Sequence, residues 1–95
     1  MKVYIGGAIT GTNDFMERFA KAEKDLTEQG YSVVNPAKVN AKLPSDTTYE
    51  EYMNMSFCML NMCAAIYMPN GWSTSCGANR ELGFAMAKDK VIMYE

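Results

Sequence analysis

Four short apolar runs, separated by segments with helical periodicity, constrain the fold of this chain more than any other feature. The runs are residues 3–5, 31–35, 64–68 and 91–94. Strands joined through helices form right-handed crossovers, which make the strands parallel. The pattern therefore predicts an α/β fold: a small flavodoxin- or Rossmann-like three-layer sandwich, with a four-stranded parallel sheet in the order 2-1-3-4 and helices on both faces. Its length of 95 residues predicts a single domain, 1–95.

The segments between the strands differ in pattern. The first helix is predicted to begin near Thr12 or Asn13 and to end at Gly30, with an apolar stripe at i, i+4, i+7 and i+11: Phe15, Phe19, Ala22 and Leu26. Residues 37–46 are polar and include a proline, so they predict a loop. The last helix is predicted over 78–88, with a buried stripe of Ala78, Leu82, Ala85 and Met86.

A helix over 49–62 is predicted from its capping-box signal, Thr47 with Glu50, and from its apolar side chains. These side chains are found on nearly every side of the helix, and a helix of this kind is buried on every side. One sheet face cannot cover all of it. We therefore expect a homodimer or higher homo-oligomer formed through helix 49–62, although the same methionines could instead form a deformable ligand pocket.

Composition excludes several classes of function. No run approaches the length of a membrane span, and the chain begins with a strand-like segment in place of a signal peptide, so no membrane association is expected. The net charge of −2 provides no basic face for duplex nucleic acid. Three cysteines and no histidine predict no metal site, and they fit the reducing environment of the cytoplasm. General acid–base catalysis would then depend on carboxylates, tyrosines or lysines.

The leading candidate for chemistry is Glu81, one turn inside the last helix. In parallel sheets, ligands bind where strands end and helices begin. The alternative is a solvated glutamate that favours the positive end of its helix. Gly6 to Thr12 follow the first strand and contain three glycines, which allow backbone amides to approach a ligand, although this could equally be an ordinary turn. The strand order brings this turn, Tyr4 and the 70–81 segment to one crevice.

Three segments together resemble the nucleoside 2-deoxyribosyltransferase superfamily, in particular its small phage and bacterial members of the DUF4406 type. They are residues 2–11, residues 30–36, and the Gly71-Trp72…Ser75-Cys76-Gly77-Ala78…Glu81-Leu82-Gly83 motif. The resemblance implies cleavage or exchange of the N-glycosidic bond of a nucleoside or nucleotide, without a cofactor. It implies that Glu81 is the nucleophile and that Tyr4 hydrogen-bonds it. It further implies that a pocket lined by Gly6, Gly7, Ala8, Ile9, Thr10, Gly11, Ser75 and Gly77 binds the substrate, with Ser75 contacting a phosphate.

Two departures from the family pattern concern proton transfer and phosphate binding. Ser56 and Ala64 occupy positions where the family commonly has aspartates, and the first of these is a proton donor and sugar contact in the monophosphate branch. Serine can hydrogen-bond a sugar, but it is a poor general acid. Asp46, Glu50 and Glu51 are candidates to supply a carboxylate instead. Ala8 stands where that branch has a phosphate-contacting serine.

Three hypotheses follow. The chain is an N-glycosidase or deoxyribosyltransferase, as the Tyr4 and Glu81 pair favours, or a nucleotide-binding module that does not cleave its ligand, as Ser56 favours. A third hypothesis is a purely structural oligomer. Trp72 lies in a polar turn and is predicted either to stack on a nucleobase or to cap the sheet edge or a subunit contact.

Overall fold

The computed structural model describes residues 1–7 and 14–95. Its strands are β1 (Lys2–Ile5), β2 (Ser32–Val34), β3 (Ala65–Met68) and β4 (Val91–Tyr94), and its helices are α1 (Phe15–Glu28), α2 (Pro36–Asn40), α3 (Tyr49–Asn61) and α4 (Cys76–Ala87), with a 3-10 turn at Trp72–Thr74. The strands form a parallel sheet in the order β2-β1-β3-β4. This confirms the predicted fold and strand order. No helix in the described ranges is long and apolar enough to cross a membrane.

Alternation along the strands separates two apolar cores, because successive side chains of a strand point to opposite faces. Val3 and Ile5 of β1 pack against α1, whereas Tyr4 packs on the face covered by α3 and α4. The α1 core also contains Phe19, Ala22, Leu26, Ala37 and Ala65. The core on the other face contains Met59, Leu60, Cys63, Ile66, Met68, Ala78 and Ala85. The sheet is therefore the middle layer of three.

The short helix α2 occupies part of the segment predicted to be a loop, so the loop prediction is wrong for residues 37–40. The side chain of Asn35 accepts a hydrogen bond from the backbone N–H of Ala37 at 3.0 Å, which caps the helix. Pro36 occupies the first turn, where its missing N–H costs no hydrogen bond. The proline that follows β2 therefore begins a helix.

The third helix of the chain, α3, begins at Tyr49 as predicted, but its capping residue lies one position later than expected. Thr48 and Glu51 form the capping box, in place of the predicted Thr47 and Glu50. Only one side of α3 is buried within the chain, and the residues on it are Met53, Ser56, Met59 and Leu60. The exposed fractions of its large side chains are 40% for Tyr49 and 38% for Met55, with 60% for Met62 at the C-cap. The rest of α3 is uncovered in the single chain, as expected for a helix that one sheet face cannot cover.

The last helix, α4, begins at Cys76, two residues before its predicted start. Ser75 caps it by accepting a hydrogen bond from the backbone N–H of Ala78 at 3.1 Å. Ala78 and Ala85 are buried as predicted, but Met86 is 61% exposed, so its place in the predicted stripe is wrong. Glu81 takes part in the buried stripe instead.

Strand β4 forms one edge of the sheet. The backbone N–H of Val91 bonds the carbonyl of Ala64, and that of Glu95 bonds the carbonyl of Met68. Alternate residues of a strand turn their backbone groups to opposite neighbours, so the N–H and C=O groups of Ile92 and Tyr94 face away from β3.

Candidate functional site

The centre of the candidate site is a hydrogen bond between the phenol hydroxyl of Tyr4 and the carboxylate of Glu81. Tyr4 has no exposed surface, and Glu81 is 5% exposed. Tyr4 points to the face covered by α3 and α4, because alternate side chains of β1 point to opposite faces of the sheet. Glu81 belongs to the buried side of α4, which packs on the same face of the sheet. A glutamate on the surface of its helix, which the sequence left open as an alternative, does not fit this burial.

The turn after β1 brings a backbone donor to the same carboxylate. The N–H of Gly7 hydrogen-bonds Glu81, in addition to the bond from Tyr4. Gly7 has a φ of +132°, a backbone conformation that side chains with a Cβ rarely adopt. A Cβ on Gly6 would lie 3.0 Å from the sulfur of Met68. The backbone angle of Gly7 therefore favours glycine, whereas a side chain at Gly6 would require Met68 to shift by a few tenths of an ångström.

Burial shifts the pKa of Glu81 upward, to about 7. Removing a carboxylate from water disfavours its charged form, and this effect exceeds the opposing effect of the hydrogen bonds from Tyr4 and Gly7. Burial also raises the pKa of Tyr4 well above its usual value, and the neighbouring Glu81 raises it further. Tyr4 therefore remains a protonated donor at neutral pH, where both the protonated and the ionised forms of Glu81 are accessible.

Ser56 of α3 forms the next link of this hydrogen-bond chain. Its side chain is buried, and its hydroxyl hydrogen-bonds the phenol oxygen of Tyr4. Because the Tyr4 proton is directed to Glu81, the serine is the donor of that bond. Donation to the phenol oxygen lowers the pKa of Tyr4, against the larger effect of burial. The three side chains are thus connected in the order Ser56, Tyr4, Glu81.

The first turns of α3 and α4 meet at Gly77, one helical turn from the three hydrogen-bonded side chains. A Cβ placed on Gly77 would lie 3.4 Å from the hydroxyl of Tyr49, 3.6 Å from the sulfur of Met53 and 4.0 Å from the hydroxyl of Ser75. Gly77 and Glu81 are four residues apart on α4, so they lie on the same side of that helix. The hydroxyls of Tyr49 and Ser75 therefore flank a position one turn above Glu81.

Arg80 joins the two helices on the outside of the site. Its guanidinium donates two hydrogen bonds to the carboxylate of Glu50, at 2.9 and 3.1 Å. It also lies 5.6 Å from the ring centre of Tyr49 and hydrogen-bonds that residue. The pairing raises the pKa of Arg80 and lowers that of Glu50. Arg80, which is itself held by Glu50, therefore packs on the ring of Tyr49.

Comparison with known proteins identifies the family. Residues 1–94 match the family described as "Domain of unknown function (DUF4406)". The chain belongs to the DUF4406 family. This agrees with the resemblance to the nucleoside 2-deoxyribosyltransferase superfamily. No curated protein matches the chain.

A solved structure of a 2-deoxyribosyltransferase from Bacillus psychrosaccharolyticus has the same fold as this DUF4406 chain. The TM-score is 0.77 over 99% of this chain and 71% of that protein. The sequence identity is 16%, so the similarity concerns the fold.

The DUF4406 structure brings together Tyr4, Ser56, Gly7 and Glu81, and it places Ser75 and Gly77 one turn above them. Trp72 instead packs against the α3/α4 core and against the ring of Tyr94, with 6.0 Å between ring centres. This is the edge-capping position that was one of its two predicted roles. The predictions for Ala8, Ile9, Thr10 and Gly11 lie outside the described residues.

Sequence reasoning missed Tyr49, because an aromatic ring also fits the apolar pattern of this helix. The signal that could have found it is spacing, since Tyr49, Met53 and Ser56 stand at i, i+4 and i+7 on one side of α3. Among residues 1–7 and 14–95, no three cysteine or carboxylate side chains form a group that could hold a metal ion. Cys63 is buried, whereas Cys58 and Cys76 are exposed.

Proposed function

We propose that this DUF4406 chain binds a nucleoside or nucleotide and cleaves or exchanges its N-glycosidic bond, with Glu81 as the nucleophile. The observation that carries the proposal is a buried carboxylate with a pKa of about 7, which accepts hydrogen bonds from Tyr4 and from the backbone of Gly7. Perturbed carboxylates of this kind are concentrated at catalytic sites. The shared fold with a 2-deoxyribosyltransferase supports the choice of substrate class.

The proposed reaction has two displacement steps. One oxygen of ionised Glu81 attacks the anomeric carbon, and the bonding electron pair of the C–N bond leaves with the base, which takes up a proton. Water or a second base then attacks the same carbon, loses a proton and releases the glutamate. Tyr4 and Gly7 hold the carboxylate in place, and their hydrogen bonds favour its ionised form.

Product analysis by chromatography tests this proposal. Wild type and Glu81→Gln are incubated with nucleosides and their 5′-monophosphates, at a pH above 7 where Glu81 is ionised. Free base is expected from wild type and not from the variant. No base release and no thermal stabilisation by any compound would overturn both catalysis and binding.

A nucleotide-binding module without turnover is the second candidate, and the surroundings of Ser56 favour it. The Ser56 hydroxyl bonds Tyr4 and is in any case a poor general acid. Glu50 is paired with Arg80, and Glu51 caps α3 through Thr48, so two of the three replacement carboxylates have other partners. In the same assay, this candidate predicts thermal stabilisation by a nucleotide with no base released.

We also propose that a second copy of the chain covers the outer side of α3, where Met55 and Cys58 are exposed. Sedimentation of the wild type and of Met55→Lys tests the interface. A dimer or higher oligomer that Met55→Lys dissociates supports it, and a monomeric wild type at micromolar concentration contradicts it. The cytoplasmic location expected from the composition remains part of this proposal.

A further inference from the structure

We propose that the candidate site selects ligands whose base carries a positive charge, such as an N-glycosylated pyridinium or an N-alkylated purine. The inference rests on the proposed function and narrows its substrate class. Glu81 then serves both as the nucleophile at the sugar and as the countercharge of the base.

Glu81 has no positive partner among the residues that the structure describes. Its carboxylate accepts hydrogen bonds from the Tyr4 hydroxyl and from the backbone N–H of Gly7, and both donors are uncharged. Glu81 is nevertheless only 5% exposed. Buried charges in proteins are ordinarily paired, because an unpaired charge away from water is unstable. Ionised Glu81 is therefore a buried negative charge whose hydrogen-bond partners are neutral.

The cations on neighbouring elements are held by other groups. The Arg80 guanidinium binds the carboxylate of Glu50 on the outside of the site. Lys90 donates hydrogen bonds to two backbone carbonyls near the C-terminal end of α3, at 3.3 and 2.6 Å. Residues 8–13 contain no charged side chain. A positive group that pairs with Glu81 is therefore supplied by the ligand.

A carboxylate in position to attack the sugar is also close to the charge of the base. The attacking oxygen lies about 3–3.5 Å from the anomeric carbon, and the nitrogen of the glycosidic bond is attached to that carbon. In a pyridinium or an N-alkylated purine, the positive charge is delocalised over the ring that contains this nitrogen. Opposite charges at this separation attract each other more strongly in a buried site than in water. One carboxylate can therefore act on both the sugar and the base.

A base that is already cationic also leaves without a proton. A neutral base leaves as an anion unless an acid protonates it. Tyr4 directs its proton to Glu81, and burial raises the pKa of Tyr4 well above its usual value. Ser56 is a poor general acid, and Glu81 must itself be ionised to attack. A cationic base needs no proton from these groups, since it departs as a neutral molecule.

Both displacement steps then proceed without a general acid. One oxygen of ionised Glu81 bonds to the anomeric carbon as the C–N bond breaks, and the electron pair of that bond neutralises the charge on the base nitrogen. Water then attacks the same carbon, the bond to Glu81 breaks, and the water loses a proton to solvent. Ionised Glu81 is restored, and one proton is released for each ligand cleaved.

The charge of the ligand also favours the reactive form of Glu81. Burial raises the pKa of Glu81 to about 7, and an opposite charge nearby lowers the pKa of a carboxylate. A cationic ligand therefore binds the ionised form more tightly, and its affinity should increase as the pH rises through 7. Tyr4 and Cys63, which lie in the same core, stay protonated there because burial raises the pKa of each.

Calorimetry with a matched pair of ligands tests the charge preference. The probes are the carbocyclic analogue of nicotinamide riboside, whose bond to the base is not cleaved, and its uncharged 1,4-dihydro form. Each is prepared with and without the 2′-hydroxyl, and with and without a 5′-phosphate. At pH 8, wild type is expected to bind the cation at least about tenfold more tightly than the neutral form. Glu81→Gln should bind the two forms equally, whereas Glu28→Gln, which removes an exposed charge on α1, should retain the preference.

Product analysis by chromatography gives a second measurement. The compounds are nicotinamide riboside, its 2′-deoxy and 5′-phosphorylated forms, and the common nucleosides and deoxynucleosides with their monophosphates. Wild type is expected to release nicotinamide faster than it releases the base of a common nucleoside, after each rate is corrected for release without protein. Glu81→Gln should release neither.

Equal affinities for the charged and uncharged probes in wild type would overturn the inference, and so would a preference that persists in Glu81→Gln. Cleavage of the common nucleosides or nucleotides alone would overturn it as well. In each of these cases the proposed function stands. If none of the compounds is bound or cleaved, the proposed function itself fails, and the charge preference fails with it.

Discussion

The hydroxyl of Tyr4 donates a hydrogen bond to the carboxylate of Glu81, although the two residues are 77 positions apart in the chain. The first strand and the last helix are thereby joined by a buried polar contact. Neither group is stable in this position alone, because an unpaired buried polar group loses its hydrogen bonds to water. Because burial raises the pKa of Glu81, the pair makes the site sensitive to pH.

The raised pKa of Glu81 should make folding less favourable as pH rises. The folded state holds a proton on Glu81 up to a pH of about 7, whereas the unfolded chain releases it near 4.5. Its contribution to stability is therefore fully present below pH 4.5 and is lost as the pH rises through 7. Glu81→Gln should increase the free energy of unfolding at pH 8 by up to about 3 kcal/mol, and the gain should disappear toward pH 4.5.

Urea denaturation between pH 4.5 and pH 9 measures this difference. Glu28→Gln, at an exposed position on α1, is the control and should change stability little at any pH. A gain for Glu81→Gln that does not vary with pH would contradict the shifted pKa.

Tyr4→Phe should raise the pH at which Glu81 titrates. The Tyr4 hydrogen bond lowers the pKa of Glu81, so its removal leaves burial less opposed and should raise that pKa above 7. The pH profile of kcat/KM, or of the unfolding midpoint where no turnover is found, should shift to higher pH. Tyr31→Phe serves as control, and an unchanged midpoint in Tyr4→Phe would show that this hydrogen bond has no effect on Glu81.

Ser56→Ala should reduce stability more than ligand affinity. Its hydroxyl bonds the buried Tyr4 oxygen, and removing one partner of a buried hydrogen bond costs about 1–3 kcal/mol. Chemical denaturation and calorimetry with the tightest-binding nucleotide measure the two effects, with exposed Ser32→Ala as control. A loss of affinity at unchanged stability would instead support the sugar contact that the resemblance implies for Ser56.

Two glycines of α4 provide a matched pair of substitutions. A Cβ on Gly83 meets nothing within 4 Å, so Gly83→Ala should stabilise the protein by up to about 1 kcal/mol through helix propensity and leave ligand binding unchanged. Gly77→Ala gains the same propensity, but its methyl group would contact the Tyr49 hydroxyl at 3.4 Å and the sulfur of Met53 at 3.6 Å, one turn from Glu81 at the candidate site. Thermal unfolding should show that both variants are at least as stable as wild type. Calorimetry should show that only Gly77→Ala binds the nucleotide ligand more weakly. Equal affinities would place the ligand away from Gly77.

Much of the fold could be predicted because it depends on local apolar periodicity and on the rules for crossovers. The strand order follows from four apolar runs and right-handed connections, and the stripe of α1 is visible as Phe19, Ala22 and Leu26. The five-residue helix α2 could not be found in this way, since it is too short to repeat an apolar position. Its signals are only Asn35 and Pro36, which also fit a strand end followed by a loop.

The site was harder to predict than the fold, because its geometry depends on contacts between distant segments. The Tyr4 and Glu81 hydrogen bond was expected from a family resemblance, not from spacing. Ser56 was expected to contact a sugar, and its bond to Tyr4 depends on how closely α3 packs on β1. The roles of Gly7 and Tyr49 depend on a backbone angle and an interhelical distance, neither of which is visible in a pattern of residue types.

The open edge of β4 has a consequence for the behaviour of the protein at high concentration. Val91 to Tyr94 are all apolar, and the outward backbone groups of Ile92 and Tyr94 form a template on which another chain can add as a strand. Charged residues, Lys88, Asp89 and Lys90 before the strand and Glu95 after it, act as gatekeepers against such growth. Replacing Lys88 and Asp89 by uncharged residues should therefore promote aggregation, visible as increased light scattering.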